Sequence, residues 1–284
     1  MEWKLMRLQY TAKQQMGGIT EDNRRLLDKL HRETTGPFTV SIASKVLRKN
    51  HQNTARLLAY WASHGWLSRI RRGVYITVPL GARHPSERRE DPWIVAATLF
   101  KQAYIGGWSA CEHWGFTEQI FSEIVVFTAR RVRTRKQQVQ DTKFILKVVP
   151  GERIFGTVDV WRQQTKVQVS DPSRTIMDIL NEPAVGGGMR HIVQVVKEYF
   201  DSEHRNDEKL INYMSQFKNR TICKRLGYIL ENFQIDAPQI LMYCKDNISS
   251  GYSKLDPTVK TKGKLVRRWN LEINIELGPK TEKQ

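Results

Sequence analysis

Cysteine is scarce and scattered in this chain. Cys111, Cys223 and Cys244 stand far apart and no CxxC pair occurs. Neither a disulfide scaffold nor a structural zinc site is expected, and a reducing compartment suits the chain. Long apolar runs are missing too, with no stretch near the ~20 apolar residues of a membrane span. The opening Met1-Glu2-Trp3-Lys4-Leu5-Met6-Arg7 has no long apolar run and no small-residue cleavage site, so export is not expected and a cytoplasmic location is. No internal repeat is visible. With 40% hydrophobic and 26% charged residues, the composition is that of a folded chain, not a disordered or collagen-like one.

Acidic residues are the other shortage. There are 29 Asp and Glu against 46 Lys and Arg, a net charge of +17. The surplus is uneven: residues 1–89 hold 17 basic and 6 acidic side chains, +11 of the +17. A basic end of this kind points to a polyanion, and to nucleic acid before membrane, because no basic amphipathic anchor is evident. A generally basic, soluble protein is the plainer alternative.

The local patterns of the first third agree with that reading. Thr20 is placed to cap a helix that opens with Glu21 and Asp22, buries Leu26, Leu27 and Leu30, and stops at Gly36-Pro37. Ser41–Leu47 reads as a short helix with Ile42, Val46 and Leu47 inward. After the polar turn Arg48-Lys49-Asn50, a third helix runs from about His51 to His64 and is closed by Gly65. Two strand-like runs, 66–70 and 74–78, are joined by Arg71-Arg72-Gly73, where Gly73 suits a left-handed loop position. This succession is the layout of a winged helix-turn-helix domain.

On a wheel of about 100° per residue, the third helix puts Ala55, Leu58, Ala59 and Ala62 inward. Asn53, Arg56, Leu57, Tyr60 and His64 fall on the other side. Asn pairs bidentately with adenine and Arg with guanine, so Asn53 and Arg56 are the candidate base readers. Arg48, Lys49, Gln52 and Thr54 are candidate phosphate contacts, with Tyr60 on the same outer face. Arg69, Arg71 and Arg72 on the hairpin can clamp a phosphate or enter a narrow minor groove. The plain alternatives are a solvated helix face and a charged hairpin edge that resists aggregation.

Beyond residue 80 the pattern becomes mixed. Residues 81–91 read as a linker, and Asp91-Pro92 opens a helix through Ala103. A short helix follows Gly106-Gly107 and stops at Gly115. Strand-like runs at 120–128, 142–149, 154–161 and 166–170 come next. The basic loop Arg130, Arg131, Arg133, Arg135 and Lys136 is open to three readings: a second DNA contact, a contact to another macromolecule, or a solvated turn. Asp171-Pro172 opens another helix. Gly186-Gly187-Gly188 reads as a flexible hinge and lacks the phosphate-loop pattern. Helical patterns follow near 189–200, 207–217, 221–232 and 238–246, and residues 270–277 alternate as a strand buried on one face.

The fold class expected is therefore α+β. An arm (1–18) precedes a winged helix-turn-helix (19–80), a linker (81–91) and a mixed α/β domain with a C-terminal helical part (92–284). Catalytic constellations are weak. Cys111-Glu112-His113 lies between Trp108 and Trp114 and reads as core. Asp159, Asp171 and Asp178 could hold Mg²⁺ in a nuclease, but no ExK follows Asp159 and Asp171 is a helix cap. No enzyme, metal or cofactor is expected. A DNA-targeted nuclease and a plain transcription factor are the alternatives.

The order of motifs resembles the AbiEi family, the antitoxin and repressor component of type IV (AbiE) toxin–antitoxin systems. The similarity runs from about residue 20 to 277. Its carriers are Thr39-Val40-Ser41, Trp66-Leu67, Arg72-Gly73-Val74-Tyr75, Tyr104–Ala110, Asp171–Thr175, Arg225–Glu231, Leu255-Asp256-Pro257 and Arg268-Trp269. The resemblance implies a repressor of its own operon that binds inverted repeats in duplex operator DNA. It also implies a C-terminal antitoxin domain over 92–284 that counters a nucleotidyltransferase-like toxin without a stable complex, and self-association on paired DNA sites is a further expectation.

Overall fold

A computed structural model of the chain describes residues 19–78 and 89–278. The expected arm and most of the expected linker lie outside the described residues. The architecture is α+β, with helices and three separate sheets. The described residues form two compact units. One holds those up to Leu99 together with Gln138–Asp141 and Trp161–Lys166; the other holds Phe100–Gln137, Thr142–Val160 and those from Val167 onward. The first unit thus extends beyond the expected linker to take in a further helix.

The first unit opens with α1 (Glu21–Glu33). Thr20 precedes it in an extended conformation, but its side chain makes no capping bond. The helix start is favoured instead by Glu21 and Asp22 in the first turn and by the Glu21–Arg25 and Asp28–Arg32 pairs one turn apart. β1 (Phe38–Thr39) leads into α2 (Val40–Leu47), where the Thr39 hydroxyl accepts from the Ile42 amide at 3.3 Å. Because α2 begins at Val40, its buried stripe is Val40, Ala43 and Leu47. Ile42, expected inward, is 42% exposed.

The next helix, α3 (His51–Ser63), is followed by β2 (Leu67–Arg71) and β3 (Val74–Thr77). The sheet order is β1-β3-β2, with both pairings antiparallel. Arg71 pairs with Val74, so the hairpin loop is the two residues Arg72-Gly73, one shorter than expected, and a bulge falls between Arg69 and Arg71. Gly73 sits at φ +78°, a conformation that favours glycine. Leu30, Phe38, Leu47, Leu58, Trp61, Trp66 and Tyr75 form one core under these elements. α4 (Pro92–Leu99) completes the unit. It stops four residues before the expected end, because Gln102 takes φ +49° and Ala103 enters a strand.

A six-stranded sheet of order β6-β7-β5-β4-β9-β8 is built mostly from residues of the second unit. Its strands are β4 (Ala103–Ile105), β5 (Glu123–Thr128), β6 (Lys136–Val139), β7 (Thr142–Val148), β8 (Thr157–Arg162) and β9 (Thr165–Ser170). β4 joins β5 antiparallel and β9 parallel, and β5 joins β7 parallel. α5 (Trp108–His113) follows β4, and α6 (Pro172–Asn181) follows β9. Asp171 caps α6 as expected, accepting from the Arg174 amide at 2.8 Å, and it also accepts from the Tyr213 hydroxyl at 2.7 Å.

The helical part is α7 (Met189–Asp201), α8 (Asp207–Phe217), α9 (Arg220–Asn232) and α10 (Pro238–Asp246). Their apolar faces enclose a large core that includes Ile176, Val196, Tyr199, Leu226 and Trp269. Gly186-Gly187-Gly188, expected as a flexible hinge, is a packed turn. Gly186 is buried, and a Cβ there would lie 2.8 Å from both Ile179 and Ile192. The expected strand 270–277 shrinks to β12 (Leu271–Ile273), the centre of a small sheet between β10 (Ser253–Lys254) and β11 (Lys264–Val266). The pairing ends there because Asn274 turns its amide group onto the backbone of Asp256, bonding both its N–H and its carbonyl.

Candidate nucleic-acid interface

Between Glu33 and Glu87 the chain contains no Asp or Glu. The segment builds α2, α3 and the β2–β3 hairpin, so the charge these elements display is uniformly positive. Arg48, Lys49, Arg56, Arg69 and Arg72 are exposed and enter no ion pair among the described residues.

The turn into α3 is locally defined. Arg48 ends α2 in the left-handed region at φ +53°, and Lys49 donates its amide to Ser44 O at 3.1 Å. Asn50 is the N-cap of α3, its side chain accepting from the Asn53 amide at 2.8 Å. This cap starts the helix one residue before Gln52, and Gln52, Asn53, Arg56, Ala59 and Tyr60 then emerge on its exposed surface. The opposite side carries Thr54, Leu58 and Trp61, all fully buried. The indole of Trp61 donates to Asn23 Oδ1 at 3.3 Å and so pins α3 to α1.

This geometry revises three assignments. Thr54, expected at phosphate, is buried, and its hydroxyl donates to Asn50 O at 2.9 Å, closing the first turn from inside. Leu57, expected outside, packs partly against the core. Ala59, expected inside, is exposed. The wheel erred because Trp61 takes the centre of the buried face and rotates it away from Ala59. Tyr60 remains outside and is 46% exposed. Its ring lies 4.1 Å from that of His64 and 5.9 Å from that of Trp66, a stack that props the end of α3 against the start of the hairpin.

On the hairpin, Arg69 and Arg72 project freely, whereas the Arg71 guanidinium donates to Leu99 O at 3.4 Å. That bond braces the hairpin against the last turn of α4. Two further exposed side chains, Lys45 on α2 and His51 at the start of α3, escaped the sequence reading. Each adjoins an assigned residue, and the missing acidic side chains were the signal that could have found them.

The basic loop of Arg130, Arg131, Arg133, Arg135 and Lys136 belongs to the second unit. All five side chains are exposed, Arg135 holds its place by its carbonyl accepting from Leu146 N at 2.7 Å, and Lys136 begins β6. The three carboxylates considered for a nuclease do not converge. Asp159 is exposed and bonded to Gln168, Asp171 caps α6, and Asp178 is buried against Arg174 and Tyr104. No cluster of three or more His, Cys, Asp or Glu that could hold a metal occurs among the described residues.

No family model matches the chain, and no curated protein matches it. A solved structure does. The RV2827C protein from Mycobacterium tuberculosis superposes with a TM-score of 0.63 over 90% of this chain and 92% of that one, at 14% sequence identity. The two proteins share a fold over nearly their full lengths. Among the described residues, no helix is long and apolar enough to cross a membrane.

Proposed function

We propose that residues 19–78 are a winged helix-turn-helix that binds duplex operator DNA, and that the chain is a repressor and antitoxin of the AbiEi kind its motifs resemble. The observation that carries the DNA-binding reading is the acid-free segment 34–86, whose free cations surround an exposed helix face. In this reading α3 enters the major groove, where Asn53 and Arg56 read base edges. Arg48, Lys49 and Gln52 hold phosphates at its N-terminal end, and Tyr60 packs along the backbone beside them. The exposed Ala59 leaves room for the groove wall to approach. Arg69 and Arg72 form the wing contact, with Arg71 holding the hairpin in place.

The partners in this reading are operator DNA with inverted repeats and a nucleotidyltransferase-like toxin, met in the cytoplasm without a stable complex. The Arg130–Lys136 loop is then available for a second polyanion contact or for assembly on paired sites.

A gel-shift series with the DNA immediately upstream of the gene tests the core of this reading. Wild type shifts that DNA selectively over a scrambled duplex. Asn53→Ala and Arg56→Ala each lose about 1–3 kcal/mol of discrimination. Equal affinity and selectivity in both variants removes α3 as the reading element. Co-expression with an adjacent nucleotidyltransferase-like reading frame tests the antitoxin role, which requires growth to be restored.

A further inference from the structure

Between Asp256 and Glu272 the chain again holds no Asp or Glu. This segment forms one wall of a cleft of about 1080 Å³ that lies wholly within the second unit. The start of α7, one face of α9 and the extended chain running on from β12 complete the lining. A concavity of this size is in the range of small-ligand sites.

Two buried side chains fasten the walls together. Asn274, 7% exposed, accepts from the Asp256 amide at 3.0 Å and donates to the carbonyls of Asp256 at 2.8 Å and Val259 at 3.0 Å. Asp256, 2% exposed, accepts from the Met189 amide and from the Thr258 amide, both at 2.8 Å. Its carboxylate therefore already occupies the start of α7, and that helix end is not open to a ligand anion.

The groups left free are of two kinds. Lys262 and Lys264 are exposed and enter no ion pair among the described residues, and Lys264 pairs with Ile273 in the β11–β12 register. Arg190 donates from Nε to Glu276 O at 3.0 Å and keeps its terminal nitrogens free among the described residues. Besides Asp256, the lining has one carboxylate, that of the exposed Glu276. Tyr228 and Asn232 lie one turn apart on α9 and are half-buried. Neither the Tyr228 hydroxyl nor the Asn232 amide group has a hydrogen-bond partner among the described residues. Ile273, Ile275 and Leu277 pack on the helical core and give the cleft an apolar floor.

We propose that this cleft binds a free nucleoside triphosphate, with its phosphates on Lys262, Lys264 and Arg190 and its base against Tyr228 and the apolar floor. Three cations outnumber the one uncommitted carboxylate, and ammonium and guanidinium groups suit phosphate oxygens. A base stacks on aromatic and apolar surface, and the Asn232 amide offers a donor and an acceptor together, as a base edge requires. A bare anion would use the cations and leave Tyr228, Asn232 and the floor unused. The cleft shares no residue with the candidate DNA interface, so nucleotide titrations and operator gel shifts are independent tests.

The experiment titrates the full-length protein calorimetrically with ATP, GTP, CTP and UTP in turn, and with inorganic triphosphate, all in EDTA. At least one nucleotide binds at one site per chain, at least about fivefold more tightly than triphosphate, the low end of what base stacking is worth. Lys262→Ala combined with Lys264→Ala changes only exposed side chains, so the melting midpoint stays near wild type while that nucleotide weakens by about tenfold or more. Asn232→Ala narrows the gap between the tightest and the weakest nucleotide. Arg69→Ala combined with Arg72→Ala leaves nucleotide binding unchanged, which separates the cleft from the general attraction of a basic chain. In wild type, nuclear Overhauser contacts join the base protons to the Tyr228 ring, a readout that depends on no variant. Absence of saturable binding by every nucleotide, triphosphate bound as tightly as the best nucleotide, or an equal loss in the hairpin and lysine variants overturns the cleft as a nucleotide site.

Discussion

Asn50 and Asn53 are joined by a 2.8 Å hydrogen bond from the Asn53 amide to the Asn50 side chain. The residue that starts α3 therefore also fixes the first residue proposed to read DNA. Asn50→Ala removes the cap and costs about 1 kcal/mol of stability, with DNA affinity falling alongside. Asn50→Asp keeps the cap but sets a carboxylate beside phosphate. Its thermal midpoint stays near wild type while its operator affinity drops. Melting curves and gel shifts on the same preparations separate the two effects.

The hairpin arginines divide by what they touch. Arg69→Ala and Arg72→Ala weaken binding to all duplexes alike, and each reduces the slope of log K against log salt by about 0.9 for every phosphate left without its cation. Arg71→Ala instead loses the bond to Leu99 O. Its effect is a lower melting midpoint with a smaller change in salt slope. Fluorescence anisotropy over a salt series measures the slopes, and melting curves on the same variants measure the midpoints.

Gly227 lies where α9 meets the indole of Trp269, and a Cβ on it would collide with that ring. Trp269 is fully buried and donates to Glu231 at 2.8 Å, so it has no room to retreat. Gly227→Ala accordingly destabilises the second unit by an amount on the order of 1–3 kcal/mol, despite alanine's better helix propensity. Urea denaturation with the Trp269 environment as probe reads the loss.

Asp178 is buried with Arg174 Nε at 3.0 Å and the Tyr104 hydroxyl at 3.2 Å, yet its second oxygen has no partner among the described residues. Burial pushes its carboxyl up to about 6, against the pull of Arg174 and Tyr104. A folded-state value above the unfolded one means that the folded chain keeps a proton that the unfolded chain has already released. Through this group, stability rises as pH falls from about 6 toward the ordinary carboxylate range, and falls as pH rises through 6. The stability of wild type relative to Asp178→Asn therefore increases as pH is lowered from 7 to 4.5 in melting experiments. A constant difference across that window contradicts the assignment.

The elements read correctly from sequence were those with local causes. α8 and α10 fall at the expected 207–217 and 238–246 because each shows a 3.6-residue apolar period with a recognisable start, Asn206 accepting from Lys209 N in one and Pro238 in the other. Asp171 was legible as a cap for the same reason. The three residues of β4 were not, since they become a strand only between β5 and β9, partners distant in sequence. In the candidate interface, the charge and most exposed residues were legible. The burial of Thr54 and the bracing role of Arg71 were not, because each depends on a neighbour that folding delivers.

By itself, the sequence determined the acid-free basic segment, the helical periods and the turn residues, because charge, capping and backbone preference act within a few positions along the chain. Tertiary structure alone decided which side of α3 faces outward, which arginine of the hairpin is spent on a backbone carbonyl, and that the thiols of Cys223 and Cys244 both reach Met214 Sδ. Those outcomes follow from packing, in which large side chains such as Trp61 and Trp269 claim the interior first and smaller or polar groups take the places that remain.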